Sequence, residues 1–163
     1  KLTFIAQLMR NEGHLLAHDN TAERLKMIEQ NCARLGVTCV QTVLPSTLDP
    51  RPSTPFDRIL IDAPCSNTGV IRRRVDLRWR IRPKEIGRLR ATQLELLSRA
   101  GSLLKAGGRL VYSTCSLELE ENSDVLTEFL AGHADFRLEH SRELLPFADG
   151  VDGTYVARLV KNG

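Results

Sequence analysis

No stretch of the 163-residue sequence approaches the roughly 20 consecutive apolar residues that a membrane span requires. The first residues also lack the pattern of a secretory leader. Cysteine is scarce: Cys32, Cys39, Cys65 and Cys115 are the only four, and none forms a C-x-x-C pair. The usual ligand spacing of a zinc site is therefore missing, and no metal is expected. A chain of this size folds without disulfides, and nothing marks an oxidising compartment, so all four are expected to be reduced thiols of a cytoplasmic protein. Aromatic residues make up only 5% of the chain, with Trp79 the sole tryptophan. Charge of one sign is not in large excess either; the net +3 does not by itself demand a nucleic-acid partner. Repeats and low-complexity segments are absent. What remains is a soluble chain about the size of one α/β domain, with 42% hydrophobic residues to build a core and 26% charged residues on its surface.

Strand and helix signals alternate along the chain, which predicts an α/β fold with a parallel sheet. Thr3 to Met9 reads as the end of a helix, and His14 to His18 as a short buried strand that stops at Asp19. Ala22, Leu25, Ile28, Cys32 and Leu35 recur at helical spacing, and Gly36 closes that helix. Val37 to Val43 reads as a second strand. Leu44 to Pro55, with four prolines, reads as a loop. Phe56 to Ala63 is a strong strand ended by Pro64, and Gly69 to Arg82 is irregular and basic. Pro83 opens a long helix to about Leu104, which Gly107-Gly108 is expected to end. Arg109 to Thr114 follows as a strand, Glu118 to Leu130 as a helix, and Thr154 to Val160 as a closing strand, with one more element near Phe136. A doubly wound sheet normally begins with a strand and a glycine-rich turn. Neither precedes the first helix here, so the chain is expected to be a fragment of a longer protein.

Two strands end in reactive clusters, Asp62-Ala63-Pro64-Cys65-Ser66 and Ser113-Thr114-Cys115-Ser116. Ligands of open α/β sheets bind outside the carboxyl ends of the strands. If these strands are neighbours, two thiols and a carboxylate converge there. A single free cysteine is most often a small buried hydrophobe; two, each among small polar residues and beside Asp62, favour chemistry.

Asp62 to Gly69 (DAPCSNTG) resembles the DAPCSGTG motif of the Nop/Sun-type RNA cytosine-5 methyltransferases. Ser113 to Ser116, followed by Glu120-Glu121-Asn122, resembles their TCS motif with its downstream EEN. Ile71-Arg72-Arg73, Asp76 and Trp79 are similar to the segment between the two motifs. The resemblance covers essentially the whole chain and is strongest to the bacterial Sun-like branch that acts on 16S ribosomal RNA. It implies a Rossmann-like S-adenosylmethionine-dependent methyltransferase sheet with helices on both faces, lacking its first strand and glycine-rich loop. Residues 1–163 would then be one catalytic domain truncated at its N-terminal end. In that fold the missing strand lies centrally, so the isolated chain is expected to be poorly stable.

The chemistry implied by the resemblance explains the residues. Carbon 5 of cytosine is a poor nucleophile, and addition of a thiolate to carbon 6 makes it enamine-like. That role falls to Cys115. An ordinary thiol has a pKa of about 8.5, so the site must favour the thiolate. Cys65 would assist the later elimination, and Asp62 would hydrogen-bond the cytosine edge and the adjacent cofactor. Asp19 resembles the acidic residue that binds the cofactor ribose, although it also suits an N-cap of the following helix. Arg24 matches a basic position that touches the cofactor, and Lys1 the lysine that ends the family's glycine-rich motif. Two departures stand out: the glycine-rich turn is absent, and the acidic residue expected for the adenine is replaced by a segment in which Asp49 is displaced and Ser46 or Thr47 could substitute.

Between Arg72 and Lys84 the chain carries a net charge of +6, from Arg72, Arg73, Arg74, Arg78, Arg80, Arg82 and Lys84 against Asp76. The positive charge of the chain is thus concentrated in one strip. Contact with an RNA backbone is expected for these arginines, and core packing for Trp79. A cytosine must leave its stack for Cys115 to reach it, which implies single-stranded or flipped RNA. An exocyclic-amino methyltransferase would carry an NPPY-type motif and need no second cysteine, and a DNA cytosine-5 enzyme would carry its nucleophile in a PCQ motif. A non-catalytic RNA-binding module is the alternative from another class, and a thiol-redox protein a remote third.

Overall fold

Helix α1 (Leu2–Leu8) is followed by strand β1 (Leu15–His18), helix α2 (Ala22–Arg34) and strand β2 (Val40–Val43). These belong to the first of two units, Lys1–Ser53, in the computed structural model, which describes residues 1–44 and 55–163. Ser46, Thr47 and Asp49 therefore lie outside the described residues. Thr21 caps α2, its hydroxyl accepting the Arg24 N–H at 3.4 Å. Glu23 in the first turn and Arg34 in the last complement the helix dipole. Gly36 leaves the helix at a φ of 66°, the left-handed conformation a helix end commonly takes. β1 and β2 pair in parallel, Leu15 opposite Val40 and His18 opposite Val43. β2 begins three residues later than expected. Asn11 takes the Thr38 and Cys39 N–H groups on its side-chain oxygen, at 2.9 and 3.2 Å, before the ladder starts.

The second unit, Thr54–Gly163, holds the remaining elements. Strand β3 (Phe56–Asp62) is followed by a 3-10 turn at Thr68–Val70, the single-turn helix α3 (Leu77–Arg80) and the long helix α4 (Pro83–Leu103). Strand β4 (Leu104–Thr114), a 3-10 turn at Leu119–Glu121, helix α5 (Ser123–Gly132), strand β5 (Phe136–Leu144), helix α6 (Pro146–Asp149) and strand β6 (Thr154–Lys161) complete it. The sheet order is β3-β4-β6-β5. β3 and β4 are parallel, whereas β6 runs antiparallel to β4 and to β5. The purely parallel expectation fails at these last strands. The connection of residues 145–153 is shorter than the dozen or so residues a parallel crossover needs.

α4 and α5 bury Leu97, Ala100, Val125, Leu126 and Phe129 against Leu110, Tyr112, Ala157 and Leu159 of the sheet. Leu97, Leu110 and Leu159 are fully buried, each stabilising the fold by about 1.5–3 kcal/mol. This core fixes β3 and β4 side by side and so aligns their carboxyl ends.

Three further expectations need correction. Gly107-Gly108 does not end a helix: α4 stops at Leu103, and the two glycines lie inside β4. Gly107 has a φ of 74°, and the pairing register slips opposite them between Phe56 and Arg58, so they form a bulge. Glu118 to Leu130 is not one helix, because the chain breaks at Asn122 (φ −114°, ψ −101°) between the 3-10 turn and α5. Trp79 is not in the core; α3 buries no residue, and the indole is 77% exposed. Among the described residues no helix is long and apolar enough to cross a membrane.

Candidate active site

The parallel pairing of β3 and β4 brings the two cysteine-bearing strand ends together. Asp62 lies opposite Ser113, and the Ala63 N–H donates to the Ser113 carbonyl at 2.9 Å. Cys65 and Cys115 follow directly, with their sulfurs 3.2 Å apart. The Cys115 N–H also donates to the Cys65 sulfur at 3.3 Å. The Cys115 S–H donates to Oδ1 of Asn67 at 2.9 Å, which leaves the Cys65 S–H as the donor between the sulfurs. All four cysteines are free thiols. Cys65 is buried and Cys115 is more open. The hydrogen bond to Cys115, then burial, push the Cys65 thiol far above its ordinary range. Asp62 presents an exposed carboxylate beside the pair and accepts the Ser113 hydroxyl at 3.4 Å.

A buried carboxylate organises both loops. Glu121, with no exposed surface, accepts the Ser66 N–H at 2.9 Å, the Ser66 hydroxyl, the Ser116 hydroxyl at 2.6 Å and the Gln93 amide at 3.2 Å. The same Gln93 amide donates to the Pro64 carbonyl at 2.9 Å. Asn122 accepts the Thr114 hydroxyl at 2.6 Å and donates to the Ser116 carbonyl at 3.0 Å. These bonds tie the two strand-end loops and helix α4 to one carboxylate. Gly69 locks the loop from the far side, donating its N–H to the Cys115 carbonyl at 2.9 Å. A side chain at Gly69 would stand 2.3 Å from the Gly153 carbonyl oxygen.

Glu121, Gln93, Ser66, Ser116 and Asn67 carried no assigned role in the sequence. Two of them left a signal. Glu121 sits in the EEN motif, and Gln93 interrupts an apolar stripe between Leu89 and Leu97, where only a hydrogen-bonded amide is tolerated.

In the first unit, Asp19 follows the carboxyl end of β1. Its carboxylate accepts the Thr21 N–H at 3.2 Å and pairs with Arg24 at 3.6 Å, keeping a quarter of its side-chain surface exposed. The N-cap of α2 is Thr21, so Asp19 is not the cap. Lys1 precedes α1 and is exposed.

The basic strip of the second unit is exposed and partly tethered. Arg72 and Arg73 both grip Asp152, at 2.5 and 2.7 Å, and the hydrogen bond from Arg72 holds that carboxyl below its usual range. Arg80 pairs with Asp76 at 3.3 Å, while Arg74 and Arg78 stand exposed.

Comparison with known proteins extends the picture. A family model described as 16S rRNA methyltransferase RsmB/F matches residues 1–160. Ribosomal RNA small subunit methyltransferase B of Pectobacterium carotovorum is 41% identical over 160 residues, covering 93% of this chain and 37% of that protein. The probable ribosomal RNA small subunit methyltransferase B of Bacillus subtilis is 35% identical over 186 residues, covering 100% of this chain and 41% of that protein. The crystal structure of NSun6 from Pyrococcus horikoshii with SFG superposes with a TM-score of 0.88 at 31% identity, covering 99% of this chain and 45% of that one. The chain thus spans about two fifths of the length of the curated relatives it matches.

Proposed function

We propose, from the premise that the chain belongs to the 16S rRNA methyltransferase RsmB/F family, that it carries the catalytic cysteines of a ribosomal RNA cytosine-5 methyltransferase. The observation that carries this reading is the 3.2 Å approach of Cys65 and Cys115 at two adjacent strand ends. The Rossmann-like α/β fold of these methyltransferases supplies the frame.

Cys115 is the nucleophile. Its sulfur adds to carbon 6 of the target cytosine, and the displaced electron pair makes carbon 5 nucleophilic. Cys65 keeps its proton and donates it as a hydrogen bond to the neighbouring sulfur. That bond stabilises Cys115 as a thiolate before addition and again when it leaves. Once carbon 5 carries its methyl group, a water molecule takes the carbon 5 proton, and that C–H electron pair re-forms the carbon 5–carbon 6 double bond as the bond from carbon 6 to the Cys115 sulfur breaks. Asp62 hydrogen-bonds the cytosine edge near nitrogen 3, its carboxylate accepting from the adjacent exocyclic amino group and holding the ring in place for attack.

S-adenosylmethionine is the cofactor and supplies the methyl group. The residues fit it: Asp19 offers a partly exposed carboxylate at a strand's carboxyl end, oriented by the Thr21 N–H and Arg24, which suits ribose hydroxyls. In the first unit, Asp19, Arg24 and Lys1 are assigned to it. Arg72, Arg73, Arg74, Arg78 and Arg80 contact the RNA backbone, and the target cytosine is unstacked to enter.

The test uses the complete protein with unmodified 16S rRNA and S-adenosylmethionine, reading nucleosides by mass spectrometry. 5-Methylcytidine should appear with the wild type and fall to background with Cys115→Ala. Methylation of another nucleoside, or full activity of Cys115→Ala, would refute the reading.

A further inference from the structure

Asn67 follows Cys65 by two residues and hydrogen-bonds both cysteines, and no step above uses it. Its backbone adopts φ 63° and ψ 24°, the left-handed region where glycine and asparagine are favoured. Glycine stands at this position of the DAPCSGTG motif, so the backbone asks the same of both residues. Only asparagine adds a side chain there. Nδ2 of Asn67 donates to the Cys65 carbonyl at 2.8 Å, which fixes the amide orientation and turns Oδ1 toward Cys115. Oδ1 then accepts the Cys115 S–H at 2.9 Å. The amide is thus anchored on one cysteine and holds the proton of the other.

We infer that Asn67 is a positioning residue that fixes the Cys115 side chain and holds it in its thiol form until substrate is engaged. This rests on the reading of Cys115 as nucleophile, but its physics does not. A carbonyl oxygen can accept a hydrogen bond from a thiol and can offer none to a thiolate, so this contact favours the protonated sulfur. Cys65 acts in the opposite sense, because its S–H donates to Cys115 and favours the thiolate. The two neighbours set a balance, and Asn67 is the member on the thiol side. Removing its amide shifts that balance toward the thiolate. A neutral hydrogen bond of ordinary net strength corresponds to roughly a three- to tenfold change in the ionisation equilibrium.

The experiment measures the rate at which iodoacetamide alkylates Cys115 in the complete protein between pH 6 and 10, without RNA or cofactor. Peptide mapping by mass spectrometry separates Cys115 from the other three cysteines. Asn67→Gly keeps the left-handed backbone and should move the pH profile of Cys115 alkylation to lower pH, with a roughly three- to tenfold faster rate at neutral pH. Asn67→Asp keeps the shape and adds a negative charge beside the sulfur, so its profile should move to higher pH. An Asn67→Gly profile that coincides with wild type, or an Asn67→Asp profile that moves the same way as Asn67→Gly, would overturn the inference. Because alkylation needs no methyl transfer, failure here is distinct from failure of the proposed reaction, which the nucleoside assay reads.

Discussion

Gly69 shows how little freedom single residues have around the thiols. Its Cα faces Gly153, and an added methyl would lie 2.3 Å from one backbone oxygen and 2.9 Å from another. Gly69→Ala should therefore destabilise the complete protein by at least about 3 kcal/mol, since backbone on both sides must move. Urea unfolding would show a lower midpoint at unchanged slope. Asp152 gives a pH prediction of definite sign. Its folded pKa is depressed, mainly by the Arg72 hydrogen bond, so the clamp on Arg72 and Arg73 is present above the ordinary aspartate value of about 3.9. It is lost as the pH falls through the lower folded value. Carboxyl NMR should find Asp152 titrating below its ordinary value, and the double variant Arg72→Ala/Arg73→Ala should return it there. An Asp152 that titrates at its ordinary value in the wild type would contradict the clamp. At this scale the meeting of Cys65 and Cys115 was legible because each closes a short motif at the end of a strong strand. Asn67 was visible only as a departure from one, and its contact with Cys115 depends on a loop conformation that no pattern of residue types encodes.

Elements carry the next layer, and Glu121 is where they meet. One carboxylate on the 3-10 turn after β4 receives the loop after β3, the loop after β4 and, through Gln93, helix α4. Glu121→Ala would leave the buried Ser66 N–H without an acceptor and take one partner each from the Ser66 hydroxyl, the Ser116 hydroxyl and the Gln93 amide. With the orphaned N–H costing about 1–3 kcal/mol and the weakened bonds adding to it, a loss of at least about 1–3 kcal/mol is expected in thermal unfolding. Glu121→Gln keeps the shape and should lose less; equal losses for the two would mean that the hydrogen bonds are not what the site depends on. The helices and strands themselves were largely readable, because α2, α4, β3 and the inward face of β4 show clear periodicity. Strand direction was not, since an alternating pattern in β5 and β6 is the same whichever way the strand runs. Gly107-Gly108 misled for a related reason: glycine at positive φ ends helices and also makes bulges, and only the opposing strand distinguishes them.

At the scale of the molecule, charge and composition said less than its distribution. A net +3 conceals a strip of +6 between Arg72 and Lys84, all on one exposed segment that includes Trp79. If that strip meets RNA phosphates, Arg74→Ala and Arg78→Ala should each weaken binding uniformly across sequences. Each should also reduce the slope of log affinity against log salt by about 1, measured by filter binding. Unchanged slopes would place the RNA elsewhere. The exposed Trp79 corrects an expectation that burial follows from size, since a one-turn helix has no second layer to pack against. The central claim, that Cys115 forms a bond to cytosine, is reached most directly by trapping. The complete protein, S-adenosylmethionine and 5-fluorocytosine-substituted 16S rRNA are mixed, and a denaturation-resistant protein–RNA adduct is sought. The fluorine cannot leave as the carbon 5 proton does, so a methylated adduct should accumulate with wild type and be lost with Cys115→Ala. An adduct that persists in Cys115→Ala, or none in any variant while RNA remains bound, would contradict the assignment.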